Sequence, residues 1–141
     1  MKRNVIVLGI VFVISIIMPL SAFAANYVKP DEFKKWLETG KQLVIVDIQP
    51  AADFEKQHFK GSIETNAFPA KSDEEKNRID KALAAINASK GEVVVICPRG
   101  RSGASNTYDY LKSKGVSEVR LFILEGGIDG WPHKSLFVQG R

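Results

Sequence analysis

Val93-Val94-Val95-Ile96-Cys97-Pro98-Arg99-Gly100-Arg101-Ser102-Gly103 changes character at a single residue. The four β-branched residues before Cys97 have the profile of a strand covered on both faces, and Cys97 stands where that strand ends. Past it lies a loop dense in cations, glycine and serine, leading into a helix expected from about Ala104. Cys97 is the only cysteine among 141 residues, so it has no partner for an internal disulfide. Backbone N–H groups of the loop, the positive end of the following helix and the guanidinium groups of Arg99 and Arg101 all favour the anionic form of its sulfur. Cys97 is therefore a candidate nucleophile, with a buried inert thiol as the alternative.

The flanking sequence repeats the alternation of strand and helix. Asp31 to Thr39 places Phe33, Trp36 and Leu37 at helical spacing before Gly40, and Leu43 to Val46 is a second buried-strand run ending in Asp47. Ala51 to Gln57 suits a short helix, and the chain then turns through Asn66 and Pro69. Ser72 with Glu75 forms a capping-box pattern ahead of a helix bearing Ile79, Leu83 and Ile86 and ending near Gly91. A further helix carries Thr107, Tyr108, Leu111 and Lys112 up to Gly115, and Val119 to Leu124 reads as a third strand, closed by Glu125-Gly126-Gly127. Strands separated by helices, with no hairpin turns between them, require crossovers. The expected fold class is α/β, a small parallel sheet flanked by helices on both faces. Ligands of such sheets bind beyond the carboxyl ends of the strands, the edge where Asp47, Cys97 and Glu125 would meet.

The N-terminus points to export. Lys2 and Arg3 precede an apolar stretch, Val5 to Leu20, and Ala22-Phe23-Ala24 fits the small-x-small pattern of a cleavage site. The stretch is shorter than the roughly 20 residues that span a bilayer comfortably, which favours a cleaved signal and a periplasmic or secreted protein over a retained anchor. The expected organisation is a signal peptide over 1–24, a short linker over 25–30, one domain over 31–135 and a tail over 136–141. Cleavage after Ala24 leaves 117 of the 141 residues, enough for one compact core. It removes two of the 20 basic residues and none of the 16 acidic ones, lowering the formal charge from +4 to +2. The charges are well mixed, so no nucleic-acid surface is expected. No His or Cys set has metal-ligand spacing, and neither a metal nor another cofactor is implied.

Three segments resemble the rhodanese-like domain family. They are Val46-Asp47-Ile48-Gln49 with Asp53-Phe54 and His58-Phe59-Lys60-Gly61-Ser62-Ile63, then the loop from Cys97 to Ser102, then Leu124-Glu125-Gly126-Gly127-Ile128-Asp129-Gly130-Trp131. The resemblance implies a sulfurtransferase: Cys97 would take the outer sulfur of a small anionic donor such as thiosulfate as a persulfide and pass it to a thiophilic acceptor, a thiol protein being one candidate. Arg99 and Arg101 suit an anionic donor, because guanidinium groups match oxyanions. Gly100 and Gly103 would let the loop turn its amides inward. Ser102 would either donate to the sulfur or cap the next helix. Asp47 is expected to order loop backbone and Glu125 to fix the loop before the two glycines. His58 has a structural role by the resemblance, His133 reads as a surface residue, and Trp36 and Trp131 read as packing residues.

Four departures stand out. Gln49 replaces an arginine of the family pattern and so removes a salt bridge, Gln57 replaces a glycine, Lys60 replaces a proline, and Pro98 supplies no N–H to the loop. Two other functions share the architecture. One is a non-catalytic or redox-sensing binding module; the other is phosphatase or arsenate-reductase chemistry, which uses an arginine six residues after the cysteine. Gly103 stands at that position here.

Overall fold

The computed structural model describes residues 24–141. The export-type segment read from Lys2 to Phe23 lies outside them. Among the described residues no helix is long and apolar enough to cross a membrane.

In chain order the elements are β1 (Tyr27–Val28), α1 (Pro30–Glu38), β2 (Leu43–Asp47), α2 (Ala51–Lys56), β3 (His58–Phe59), β4 (Ile63–Glu64), α3 (Asp73–Ile79), α4 (Leu83–Ala88), β5 (Glu92–Ile96), α5 (Ser102–Ser113), β6 (Leu121–Leu124) and β7 (Phe137–Val138). Single turns of 3-10 helix occupy Asp80–Ala82, Glu118–Arg120 and Lys134–Leu136. Five strands form one sheet in the order β1-β6-β5-β2-β4, with every neighbouring pair parallel, and β3 pairs antiparallel with β7 outside it. The fold is the expected α/β sheet between helices.

Alternation along the central strands divides the core in two. Val44, Val46, Val93 and Val95 face Ile79, Ile86, Ala104, Tyr108 and Leu111 of α3 to α5. Ile45, Val94 and Ile96 face the other way, against Phe33 of α1, Phe59 and Trp131. There the aromatic rings meet edge to face, Phe33 with Phe59 at 5.1 Å and Phe59 with Trp131 at 4.9 Å. Such pairs add about 0.5–1.5 kcal/mol each beyond their buried area. Cys97 continues the first set, so its side chain turns toward α5.

The structure departs from the sequence expectations at several edges. The 25–30 segment is not all linker: Tyr27 and Val28 pair with Ile123 and Leu124, and Val28 is buried. Within the 136–141 segment, Phe137 and Val138 pair with Phe59 and His58. Two-residue strands are too short to leave a periodic pattern, which is why neither is visible in the sequence. The single helix expected between Ser72 and Gly91 is broken by the 3-10 turn at Asp80–Ala82. The third strand begins at Leu121 rather than Val119. Val119 lies in a 3-10 turn and is 87% exposed, while Arg120 beside it donates to the Ser89 and Ile86 carbonyls.

Candidate active site

The register of β2 and β5 sets the site. Asp47 lies opposite Ile96, and the Ile48 N–H donates to the Ile96 carbonyl at 2.9 Å, so the chain leaves both strands at the same level. Cys97 is the first residue past the end of β5. Its side chain is 2% exposed, and its Sγ accepts a hydrogen bond from the Gly100 N–H at 2.9 Å.

The loop is held by a second one. The Ile128 N–H donates to the Cys97 carbonyl at 3.0 Å and the Asp129 N–H to the Pro98 carbonyl at 2.9 Å. This close approach explains two glycines. Gly100 has φ +65°, and a Cβ there would lie 2.7 Å from the Leu124 carbonyl oxygen. Gly127 has φ +60°, and a Cβ there would meet the Cys97 carbonyl and lie 2.7 Å from the Arg99 nitrogen. Both positions combine a left-handed backbone with no room for a side chain.

The remaining candidates take distinct places. Arg99 and Arg101 are exposed, and neither forms an ion pair among the described residues. Arg101 is the N-cap of α5 and makes no side-chain cap bond; Ser102 is the first helical residue and is exposed, so it does not cap this helix. Gly103 lies inside α5 rather than in the turn, and its smallness answers to the Phe68 ring, 3.0 Å from where a Cβ would stand. Glu125 is exposed at the end of β6, its N–H bonded to the Val28 carbonyl. His58 stacks on Phe54 at 3.9 Å with Nδ1 2.8 Å from the Phe54 carbonyl, and His133 sits 3.0 Å from Asp31. Neither imidazole is brought to the sulfur by any hydrogen bond.

Asp47 is fully buried. Its Oδ1 accepts from the Gln49 N–H at 2.9 Å and its Oδ2 from Gln49 Nε2 at 3.0 Å, while its carbonyl accepts both the Thr65 N–H and hydroxyl. It thus pins the loops after β2 and β4. Burial pushes its carboxyl up from 3.8 to about 7; the Gln49 bonds pull the other way, and the charge of Glu64 adds to the rise. Phe68, Thr65 and the amides of Ile128 and Asp129 escaped the sequence reading. Backbone groups leave no trace in residue identity, and Phe68 matters only through its contact with Gly103.

The Rhodanese-like domain family model matches residues 29–134. Among solved structures, a rhodanese-like domain protein from Staphylococcus aureus is 16% identical, aligned over 82% of this chain and 99% of its own, at a TM-score of 0.59. A thiosulfate sulfurtransferase from Pseudomonas aeruginosa is 16% identical over 83% of this chain, which spans only 20% of that protein, at a TM-score of 0.58. An As-Sb reductase from Leishmania major is 18% identical over 82% of this chain and 86% of its own, at a TM-score of 0.59. No curated protein matches the sequence. At these identities the structural likeness speaks to the fold alone.

Proposed function

The chain belongs to the rhodanese-like domain family, and on that footing we propose that it is an exported sulfurtransferase that carries sulfane sulfur on Cys97. The observation that supports this most directly is the Gly100 N–H donating to Cys97 Sγ at 2.9 Å, in a loop that opens onto the N-terminus of the twelve-residue α5. An amide dipole aimed at sulfur in a water-poor setting stabilises the thiolate and the persulfide, as oxyanion donors stabilise oxygen; losing one such donor costs other enzymes about 3 kcal/mol. The helix end adds a favourable field of the same sign. Arg99 and Arg101, exposed and free of ion pairs among the described residues, supply positive charge for an anionic donor.

With thiosulfate as donor, the Cys97 thiolate attacks the outer sulfur. A new S–S bond forms to Sγ, the bond to the sulfonate sulfur breaks, and sulfite leaves with that electron pair. The persulfide then gives its terminal sulfur to the acceptor, and Cys97 departs as thiolate. No net oxidant is needed.

Phosphatase-type chemistry is disfavoured by packing as well as by sequence. An arginine at position 103 would have to displace the Phe68 ring that closes on Gly103. The low exposure of Cys97 favours, as the second reading, a binding module without turnover. Intact mass after thiosulfate treatment separates the two. The wild type is expected to gain one sulfur atom and to form thiocyanate with cyanide, and Cys97→Ser to do neither. Equal thiocyanate from both proteins would defeat the role of Cys97.

A further inference from the structure

The Cys97 side chain is 2% exposed, yet a sulfur donor and then an acceptor must both touch Sγ. Some part of its cover has to give way. The sulfur belongs to the core face shared with Ile48, Ala67, Ala70 and Ala104. Ile48 cannot leave without breaking the bond from its N–H to the Ile96 carbonyl, at 2.9 Å, and Ala104 is part of α5. What remains on that face at the carboxyl edge of the sheet is segment 65–71, which follows β4 and carries the half-buried Phe68.

The backbone of this segment is tied on both sides of Phe68. The Phe68 N–H donates to the Ile48 carbonyl at 2.8 Å, and the Pro69 carbonyl accepts from Asn106 Nδ2 at 3.2 Å. Rotation about its own side-chain bonds is then the way the ring can shift. As it stands, its Cδ2 and Cε2 edge lies 3.0 Å from where a Cβ of Gly103 would be, over the first turn of α5. Two locally unfavourable choices keep it there. Position 103 has glycine, a poor helix former, and the missing side chain is the space that the ring takes. Asn66 has φ +54° and the fully buried Ala70 has φ +57°, so left-handed residues bracket Phe68 in a stretch that contains no glycine. Such conformations persist where the surrounding structure dictates them, and they cluster at clamps and switches of functional sites.

We propose that Phe68 is the gate and the specificity-determining residue of the Cys97 site: its ring closes the approach to the sulfur, and its rotation admits compact sulfur donors while excluding wide ones. The proposal rests on the sulfur-transfer reading above. It reconciles a buried thiol with turnover, because the ring covers the sulfur between encounters and the sheet and α5 stay fixed. The donor class is thiosulfate or a thiosulfonate with a small group on its sulfonyl sulfur. With a thiosulfonate, the Cys97 thiolate attacks the terminal sulfur and an S–S bond forms to Sγ. The bond to the sulfonyl sulfur breaks, and a sulfinate leaves with that electron pair.

The gate is tested first without any sulfur transfer. Alkylation of Cys97, followed by intact mass, compares N-methylmaleimide with N-phenylmaleimide, each rate divided by that of N-acetylcysteine with the same reagent. Wild type is expected to favour the methyl reagent by about tenfold, the scale on which a fitted apolar contact discriminates, Phe68→Leu to favour it less and Phe68→Ala hardly at all. Phe68→Leu carries the test if truncation to alanine unfolds the chain. Ile86→Ala loosens the same core on α4, near the start of β6 and the far end of β5 from Cys97, and is expected to keep the wild-type ratio. Loading by methanethiosulfonate is then compared with loading by benzenethiosulfonate, where the same order of variants is expected. A maleimide ratio unchanged in the Phe68 variants, or lowered as much by Ile86→Ala, overturns the gate and leaves sulfur transfer standing. A ratio that responds to Phe68 in a protein loaded by neither thiosulfate nor a thiosulfonate overturns the sulfur-transfer reading, and the donor class with it, but not the gate.

Discussion

Asp47 is the residue on which loop order and pH meet. Its carboxyl is fully buried, and among the described residues no cation pairs with it; only the Gln49 amide and backbone N–H answer it. The folded carboxyl holds its proton up to about pH 7, whereas in the unfolded chain it ionises near 3.8. Between these values the native state binds the extra proton. Its stability contribution is therefore full below about pH 4 and is lost progressively, as a downward slope, while pH rises toward 7. Urea unfolding of wild type and Asp47→Asn across pH 4 to 8 is expected to show this slope in wild type and a flatter profile in the variant. Parallel curves would mean that Asp47 does not titrate in this range. The resemblance to the family pattern implied that a cation was missing at position 49. It could not show that an amide takes over the contact, because that depends on the Gln57 carbonyl and Asp47 carboxylate lying within reach of one Nε2.

Among the elements, those announced by local chemistry were the most legible. Ser72 accepts from the Glu75 N–H at 3.2 Å while the Glu75 carboxylate takes the Ser72 N–H at 3.0 Å, the capping box expected from the sequence. Ser72→Ala is expected to lower stability by about 1 kcal/mol with no change in sulfur loading, read as a shift in urea midpoint. An unchanged midpoint would show that α3 is fixed by packing alone. The same helix shows the limit of such signals. Beyond Ile79 the 3.6-residue pattern continues through Leu83 and Ile86, yet the backbone tightens at Asp80–Ala82, where Tyr110 donates to Asp80 and Lys81 reaches the Glu64 carbonyl. Those contacts come from residues 30 and 17 positions away, which no local window contains.

For the whole molecule, the described residues next to the cleavage pattern read in the sequence are bound to the sheet. Asn26 is already tied in: its carbonyl accepts the Ile123 N–H and its side chain donates to the Glu118 carbonyl, and Val28 is buried at the sheet edge. Export with cleavage after Ala24 predicts a mature chain beginning at Ala25, which N-terminal sequencing of the secreted form reads directly. A chain starting at Ala25 should melt several degrees above one starting at Lys29, since the latter loses β1 and the burial of Val28. Equal melting temperatures would mean that the edge strand contributes nothing. By itself the sequence determined the alternation of strand and helix, the buried strands and the place of Cys97 at the end of one of them, because apolar periodicity, capping and β-branching act over a few neighbouring residues. Tertiary structure alone decided the two-residue strands at either end of the described residues, the clasp of Gly126 to Gly130 around the Cys97 loop and the contact by which the Gln49 amide answers Asp47. Each of these is made by backbone groups or by side chains distant along the chain, and such groups acquire meaning only when the fold brings them within hydrogen-bonding distance.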